Sequence, residues 1–253
     1  MPAAPVTVVL TCFNHEAYIA EAVGSVLDQT RRPARVVVVD DGSRDRSAEV
    51  IRGFAAEGVQ LVAQPNAGVC LARNRGAERA DTPFLMFLDG DDRLAPTYVE
   101  RTLRGLNARP RAAFAYTPFV WFGGRTGVHP SLPYRADLLA AGNYIHNAAL
   151  MRTEAFRSAG GFDPAWNRRG WEDWDLWLRF AARRLRGVLV DEPLLHVRAH
   201  AGAHRNRSAE ADRTLAADLL SRHADLVPRN RAVFWLAKLW RRTWLAARGA
   251  GLA

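Results

Sequence analysis

The chain has 253 residues, of which 49% are apolar and 24% charged, the proportions of a soluble globular protein with a sizeable core. Two cysteines exclude a disulfide framework, and no stretch reaches the roughly 18 uninterrupted apolar residues of a membrane-spanning helix. The N-terminal segment lacks a basic signal-peptide region, so we expect a cytoplasmic protein. The net charge of +9 favours anionic partners: nucleic acid, a phospholipid surface or phosphorylated substrates.

Short apolar runs alternate with helical patterns over the first ninety residues. The predicted strands are 6–10, 35–39, 59–63 and 84–88, and the predicted helices are 16–30, 44–58 and 68–80. Strands that are apolar throughout and separated by helices predict a parallel sheet covered on both faces. The fold class is therefore α/β, with a Rossmann-like, mostly parallel sheet flanked by helices.

Polar clusters follow each predicted strand at its carboxyl end. They comprise Thr11 and Asn14, then Asp40, Asp41 and Ser43, then Asn66 and Gly68, and finally Asp89, Gly90, Asp91 and Asp92. Open α/β sheets bind ligands at this edge, so the clusters predict a site there.

The segment "FLMFLDGDD" (84–92) runs from an apolar strand into three carboxylates within four positions. Like charges this close either form a solvated turn or hold a cation. The segment "TCFNHE" after the first strand contains no glycine to cradle a phosphate. A D-x-D pair holding Mg²⁺ or Mn²⁺ would neutralise a diphosphate instead, with Gly90 allowing a sharp turn.

The regular alternation ends after residue 93. We predict strands at 111–124 and 147–152, a loop at 125–135 and an amphipathic helix at 171–184. Glu172 and Asp173 stand at the amino end of this last helix. Asp173 is compatible with two roles, an N-cap or a catalytic base.

The pattern of the C-terminal segment 231–248 predicts a helix with one basic face and with Trp240 and Trp244 outside that face. Such a helix suits either contact with an anionic membrane or packing on the rest of the protein.

The stretches "VTVVLTCFNHEAYIAEAVGSVLDQT", "VVVVDDGSRDRS", "NAGVCLARNRG", "FLDGDD", "GGFD" and "WEDWDLWLR" occur in the order found in family 2 glycosyltransferases. The sequence resembles this family over roughly residues 5 to 205. The resemblance implies a GT-A fold and inverting transfer from a nucleotide-diphosphate sugar with a divalent metal.

The resemblance also implies roles for individual residues. The nucleotide would contact Thr11, Phe13, Asp41, Asn66, Arg73, Asn74 and Asp89. The metal would be held by Asp91, with Asp92 as the alternative, and by His200, with His196 and His204 as competitors. Asp173 would be the catalytic base, beside Glu172 of the same acidic pair. Phe13 stands where the family often has a tyrosine, which removes a hydroxyl from the nucleotide pocket.

We divide the chain into a nucleotide-sugar-binding half (1–110), an acceptor-binding and catalytic half (111–205) and a basic helical tail (206–253). The expected partners are a nucleotide-diphosphate sugar, a saccharide or lipid-linked acceptor and an anionic membrane surface, with no nucleic acid. Two alternatives stay open at this point. One is a GT-A-like nucleotidyltransferase, whose usual glycine-rich, lysine-bearing segment is absent here. The other is a non-catalytic anion- or nucleic-acid-binding protein.

Overall fold

The computed structural model describes residues 2–200, 209–226 and 239. The strands are β1 Ala4–Cys12, β2 Pro33–Asp40, β3 Val59–Ala63, β4 Phe84–Asp89, β5 Arg93–Leu94, β6 Ala112–Tyr116, β7 Phe119–Gly123, β8 Gly127–His129, β9 Leu150–Arg152, β10 Arg186–Leu189 and β11 Leu195–Ala199. The helices are α1 Ile19–Leu27, α2 Ser47–Arg52, α3 Val69–Ala77, α4 Tyr98–Ala108, α5 Ala136–Ala140, α6 Thr153–Ser158, α7 Glu172–Ala182 and α8 Ala209–Arg222.

Seven strands form the central sheet in the order β10-β6-β9-β4-β1-β2-β3. β1, β2, β3 and β4 are parallel, as are β6 and β10, whereas β9 runs antiparallel to both of its neighbours. The predicted mostly parallel α/β sheet is therefore confirmed. Strands from both predicted halves of the chain belong to it. A smaller sheet, in the order β5-β11-β7-β8, forms next to the end of β4.

Each face of the central sheet packs against its own set of helices. Val9 and Phe87 belong to one buried cluster, which also contains Trp174 of α7 and residues of α3. Val8 and Met86 belong to the other cluster, with residues of α1 and α4. Burying each such side chain contributes roughly 1.5–3 kcal/mol, which explains why these strands are apolar throughout.

Helix α8 lies within the predicted tail and packs against α7. Leu219 is fully buried in the same cluster as Trp174. His223, which follows α8, places Nε2 2.9 Å from Oδ1 of the buried Asp175. The predicted basic helix at 231–248 lies outside the described residues apart from Leu239, as does His204. None of the described helices combines the length and apolarity that crossing a bilayer requires.

The single predicted strand at 111–124 is wrong, because β6 and β7 belong to different sheets. The break falls at Thr117 and Pro118. Proline has no backbone N–H for a ladder bond and restricts the residue before it, so the chain leaves one sheet and enters the other. The predicted loop at 125–135 likewise contains β8, which pairs with β7.

The helix predicted at 44–58 is shorter than expected. Asp45 accepts the Ser47 backbone N–H at 3.0 Å, and α2 then runs from Ser47 to Arg52. A short 3-10 turn follows at Ala55–Glu57 and ends at Gly58, whose φ of 85° is left-handed. The predicted helix therefore ends early, with Gly53 as the C-cap of α2, and Gly58 closes only the 3-10 turn.

Candidate active site

The carboxyl ends of β1, β2 and β4 meet at one edge of the central sheet. Thr11 pairs in register with Asp89, and Cys12 with Asp40. The Gly90 N–H donates to the Thr11 carbonyl at 2.8 Å and continues the β1–β4 pairing beyond Asp89. The predicted polar clusters at the ends of these strands therefore lie side by side.

Glycine is required at position 90 because a side chain would not fit there, and not because of its backbone φ. The predicted turn is present, since the Asp92 N–H donates to the Asp89 carbonyl at 3.0 Å, but Gly90 is absent from the described glycines with positive φ, so the turn does not depend on a left-handed backbone there. A Cβ at this position would lie 2.8 Å from the Thr11 carbonyl oxygen and 3.0 Å from His15 Nδ1. The close approach of the acidic loop to the end of β1 therefore excludes a side chain here.

Asp41 organises the loop that follows β3. Its Oδ1 accepts hydrogen bonds from Gln64 Nε2 at 2.7 Å and the Ala67 N–H at 2.8 Å. Its Oδ2 accepts from the Gly68 N–H at 2.8 Å and from Asn66 Nδ2 at 3.3 Å. The buried Asp41 carboxylate thus fixes the loop after β3, which contains the predicted nucleotide contact Asn66.

Phe13 lies at the edge of the same region. The loop after β1 is tied to the loop after β2 because the Asn14 N–H donates to Ser43 Oγ at 3.0 Å and the Arg44 N–H to Asn14 Oδ1 at 2.9 Å. Phe13 remains 41% exposed. An exposed aromatic ring in the loop after β1 is suited to stacking on a planar ligand.

Arg73 and Asn74 are on α3, and their side chains bond to other residues of the protein. Asn74 donates to the Phe162 carbonyl at 2.8 Å and accepts the Phe162 N–H at 2.9 Å, so both ends of its amide join α3 to the loop after α6. Arg73 is 2% exposed. The described contacts of these two residues hold elements together, whereas Thr11, Phe13, Asp41, Asn66 and Asp89 lie along the edge.

Arg73 compensates the charges of two carboxylates. Its Nη2 lies 2.7 Å from Asp89 Oδ1, and its Nη1 lies 2.7 Å from Glu172 Oε1. Asp89 Oδ1 also accepts from Asn147 Nδ2 at 3.2 Å. Burial raises the pKa of Asp89, but the adjacent Arg73 and His146 outweigh this effect and lower it to about 2. Asp89 is therefore ionised at neutral pH.

Asp91 and Asp92 have different surroundings. Asp91 Oδ2 lies 2.9 Å from His200 Nε2, and both side chains are partly accessible. Asp92 is buried, accepts the Arg198 backbone N–H at 2.8 Å and has its Oδ2 4.0 Å from His146 Nε2. The loop thus presents one carboxylate toward His200 and another toward His146.

Two groups of side chains have the chemistry of a divalent-cation site. Asp91 and His200 form the first, which matches the sequence expectation. Asp89, Asp92 and His146 form the second, in which the ligand atoms lie within 4.8 Å of one another. Carboxylate oxygen and imidazole nitrogen together suit Mn²⁺, and carboxylates suit Mg²⁺, so both groups fit.

The competing histidine, His196, lies elsewhere in the small sheet. His196 is on β11, where it lies opposite Arg93 of β5, and its ring lies 6.3 Å from that of Phe122. Burial and the charge of Arg93 lower the pKa of His196. Sequence analysis missed His146, although the polar "HN" within the apolar run "YIHNAALM" marked the position.

The acidic pair of α7 lies at the start of that helix. Trp171, with a left-handed φ of 65°, occupies the N-cap position, so the expectation that Asp173 is the N-cap is wrong. Asp173 lies in the first turn, where Oδ1 accepts the Trp174 N–H at 2.7 Å and Oδ2 accepts Asn143 Nδ2 at 3.1 Å. The carboxylate is oriented from two sides and suits a general base.

The acid-rich edge is thus joined to the acidic start of α7 through Arg73, which contacts both Asp89 and Glu172. The sequence matches the family model described as "Glycosyl transferase family 2" over residues 7–185. EpsE of Bacillus subtilis (strain 168) is 28% identical over 211 residues, which are 80% of this chain and 76% of EpsE. Glycosyltransferase GlyA of Streptococcus pneumoniae serotype 4 is 34% identical over 97 residues, which are 38% of this chain but 14% of GlyA.

The architecture resembles that of solved structures as well. The crystal structure of S. aureus TarS residues 1–349 in complex with UDP-GlcNAc has a TM-score of 0.72 and 18% identity, covering 92% of this chain and 70% of that chain. The same region of TarS in complex with UDP has a TM-score of 0.67 and 17% identity, covering 92% and 69%. At this identity the likeness establishes the fold. The match to the family model covers most of the sequence, and this chain belongs to glycosyl transferase family 2.

Proposed function

We propose that this protein transfers a sugar from a nucleotide-diphosphate sugar to an acceptor hydroxyl, with inversion at the anomeric carbon, in polysaccharide or glycolipid synthesis. The observation that carries the proposal is the Arg73 bridge. One buried guanidinium contacts Asp89 at the sheet edge and Glu172 next to Asp173. The donor edge and the candidate base are therefore held together.

The donor would occupy the edge of the sheet. Thr11, Phe13, Asp41, Asn66 and Asp89 are the proposed nucleotide contacts, and TarS in complex with UDP-GlcNAc supports a donor of this chemical class. Since the described hydrogen bonds of Asp41 already join it to the loop after β3, its role includes shaping the loop that receives the base. Arg73 and Asn74 would act beneath the donor by fixing α3.

The cation would be held by Asp91 and His200. Both side chains are partly accessible to a diphosphate, whereas Asp92 is buried and bonded to the Arg198 backbone. Asp89, Asp92 and His146 are the alternative ligand set. A bound Mn²⁺ or Mg²⁺ supplies Lewis-acid stabilisation of the departing diphosphate.

Asp173 would remove the proton from the acceptor hydroxyl. A single displacement needs one base and no second carboxylic acid, because the diphosphate takes the electrons of the broken C–O bond and leaves as an anion that is stable without a proton. The Trp174 N–H and the Asn143 amide hold its carboxylate, and Glu172 stays engaged by Arg73. Orientation of the base in this way supplies part of the rate acceleration.

The acceptor would be a saccharide or a lipid-linked saccharide. The basic residues of 231–248 suit peripheral contact with an anionic membrane surface, where a lipid-linked acceptor would reside. Deleting residues 231–253 should then lower binding to anionic vesicles while donor hydrolysis persists. Undiminished vesicle binding by the shortened chain would remove this part of the proposal.

A panel of nucleotide sugars tests the proposal directly. The purified chain is incubated with each donor and Mn²⁺, with and without a mixture of oligosaccharides, and the released nucleoside diphosphate is measured. We expect one donor to be hydrolysed slowly and to turn over faster when oligosaccharides are present. Absence of release from every donor, by a folded protein that also fails to bind UDP or GDP, would contradict the proposal.

A further inference from the structure

One short segment of the second half contacts three of the carboxylates of the candidate site. Asn143 Nδ2 donates to Asp173 Oδ2 at 3.1 Å, and Asn147 Nδ2 donates to Asp89 Oδ1 at 3.2 Å. Between them, His146 Nε2 lies 4.0 Å from Asp92 Oδ2. Residues 143–147, which we name the bridging segment, therefore contact the candidate base and the donor-side acids at once.

The backbone around the bridging segment is fixed by buried aromatic side chains from both layers of helices. Trp177 Nε1 of α7 donates to the Ile145 carbonyl at 3.0 Å. The Tyr98 hydroxyl of α4 donates to the Ala148 carbonyl at 2.5 Å. The strand that follows the bridging segment, β9, lies between β4 and β6 in the central sheet. The two asparagines are thus attached to a rigid part of the sheet, which a positioning role requires.

The amide of Asn143 completes the orientation of the Asp173 carboxylate. The Trp174 N–H already holds Oδ1, and a second donor on Oδ2 stops the carboxylate from rotating about its Cβ–Cγ bond. A carboxylate oxygen has two lone pairs, so one hydrogen bond to it does not by itself prevent it from accepting a proton. Asn147 is 3% exposed and bonds the same Asp89 oxygen as Arg73.

We propose that Asn143 and Asn147 are positioning residues that divide the work of the bridging segment: Asn143 orients the base, and Asn147 orients the donor-side Asp89. This inference rests on the proposed function. It predicts that removing the hydrogen bond from Asn143 to Asp173 lowers turnover. Removing the hydrogen bond from Asn147 to Asp89 should instead weaken binding of the nucleotide sugar. A merely structural role would affect thermal stability without separating the two parameters.

Asn143→Asp is the sharpest test of the first half. Asn143 Oδ1 also accepts the Ile145 N–H at 3.1 Å, and aspartate preserves both this acceptor and the side-chain shape. The substitution replaces the N–H donor toward Asp173 with an acceptor oxygen and adds a negative charge beside that carboxylate. We expect kcat for release of nucleoside diphosphate, measured with the fastest donor and the oligosaccharide mixture, to fall at least about tenfold. The Kd for UDP or GDP should stay within about twofold of the unmodified chain.

Asn147→Asp tests the second half, because it places a carboxylate against Asp89. We expect the Kd for the nucleoside diphosphate to rise at least about tenfold. If this variant shows no cooperative thermal transition, Asn147→Leu replaces it, since leucine has a similar size and donates no hydrogen bond. A weaker Kd for the leucine variant supports the inference, and an unchanged Kd overturns it.

Asp173→Asn, measured in the same assay, separates the failure of this inference from that of the proposed function. If Asp173→Asn abolishes turnover while Asn143→Asp keeps kcat within about twofold, the positioning role is overturned and the base assignment stands. If Asp173→Asn itself keeps normal turnover, the base assignment fails and the role of Asn143 fails with it. If Asn143→Asp and Asn147→Asp change the same parameter equally, the proposed division between them is overturned.

Discussion

Arg73 and Glu172 form a buried ion pair between residues 99 positions apart in the sequence, with Nη1 2.7 Å from Oε1. The same guanidinium contacts Asp89 through Nη2. Helix α3 in the first half of the chain is thereby joined to helix α7 in the second half. One cation serves two carboxylates, so removing it would leave both without their strongest compensating charge.

Arg73→Met should therefore destabilise the protein by about 3–5 kcal/mol, because breaking a buried ion pair leaves an uncompensated charge. Urea unfolding measures this difference in free energy. Arg75→Met is the matched control in the same helix, since Arg75 pairs with Glu78 at the surface and should contribute about 0–1 kcal/mol. Equal losses from the two variants would contradict the assigned burial of the charge.

The stability contributed by Asp89 should depend on pH in the acidic range. Arg73 and His146 lower its pKa in the folded state to about 2, below the ordinary value of 3.8. This contribution is present above the unfolded pKa and is lost as the pH falls through the folded pKa. The free-energy difference between the unmodified chain and Asp89→Asn should thus shrink by up to about 2 kcal/mol between pH 5 and pH 2. A difference that stays constant over this range would argue against the lowered pKa.

Gly90→Ala should destabilise the protein by about 1–3 kcal/mol, because its Cβ would lie 2.8 Å from the Thr11 carbonyl oxygen. Since the backbone must move to relieve this contact, UDP or GDP binding should weaken as well. Gly24→Ala is the control: a Cβ there meets nothing within 4 Å, and alanine should stabilise α1 by up to about 1 kcal/mol. Thermal unfolding measures the stability of both variants, and calorimetry measures their UDP or GDP affinity. If Gly90→Ala is as stable as Gly24→Ala, the predicted steric conflict is absent.

Nucleoside diphosphate binding should strengthen with Mn²⁺ or Mg²⁺ by at least about tenfold. Asp91→Ala should remove this dependence, because its carboxylate and His200 are the accessible pair. His146→Ala should leave the dependence in place. Calorimetry with and without the metal decides the ligand set. The reverse pattern would assign the cation to Asp89, Asp92 and His146, and equal affinities with and without metal would contradict metal binding altogether.

Asp173→Asn should reduce transfer by at least about 10²-fold, since an amide cannot accept the proton of the acceptor hydroxyl. Donor affinity and thermal stability should change little, because the amide oxygen still accepts the Trp174 N–H. Glu172→Gln should reduce turnover less, through its contact with Arg73. Near-normal transfer by the asparagine variant would leave Asp173 with a structural role in the first turn of α7.

The sequence predicts well which polar residues lie at the carboxyl ends of the parallel strands, because the determinants are local. Each apolar run is long enough to be a buried strand, and the polar residues that follow, such as Asp41 and Asp89, must then lie at one edge of a parallel sheet. The position of Gly90 could be predicted in the same way. The reason why glycine is needed there could not be predicted, since the Thr11 carbonyl that excludes a side chain belongs to a neighbouring strand.

The second half is less predictable because its contacts join distant residues. Asn74 shares a motif with Arg73, yet its amide bonds to Phe162, which is 88 positions away. Asn143 lies 30 positions from Asp173, and Asn147 lies 58 positions from Asp89. Periodicity reports which face of an element is buried, and it carries no information on which residue lies opposite.

The insertion of β9 between β4 and β6 has a consequence for how the chain folds. The first four strands pair with one another, but the other edge of β4 gains its partner only when residues 150–152 are available. Until then β4 presents unpaired backbone groups, the feature that makes an exposed strand prone to aggregation. During synthesis the nascent chain must extend more than 60 residues past β4 before that edge closes, and long-range closure of this kind slows folding. β9, which follows the bridging segment, is thus the last strand of the sheet interior in chain order, while β10 at the edge of the sheet and Asp173 and His200 of the candidate site come from still later in the chain.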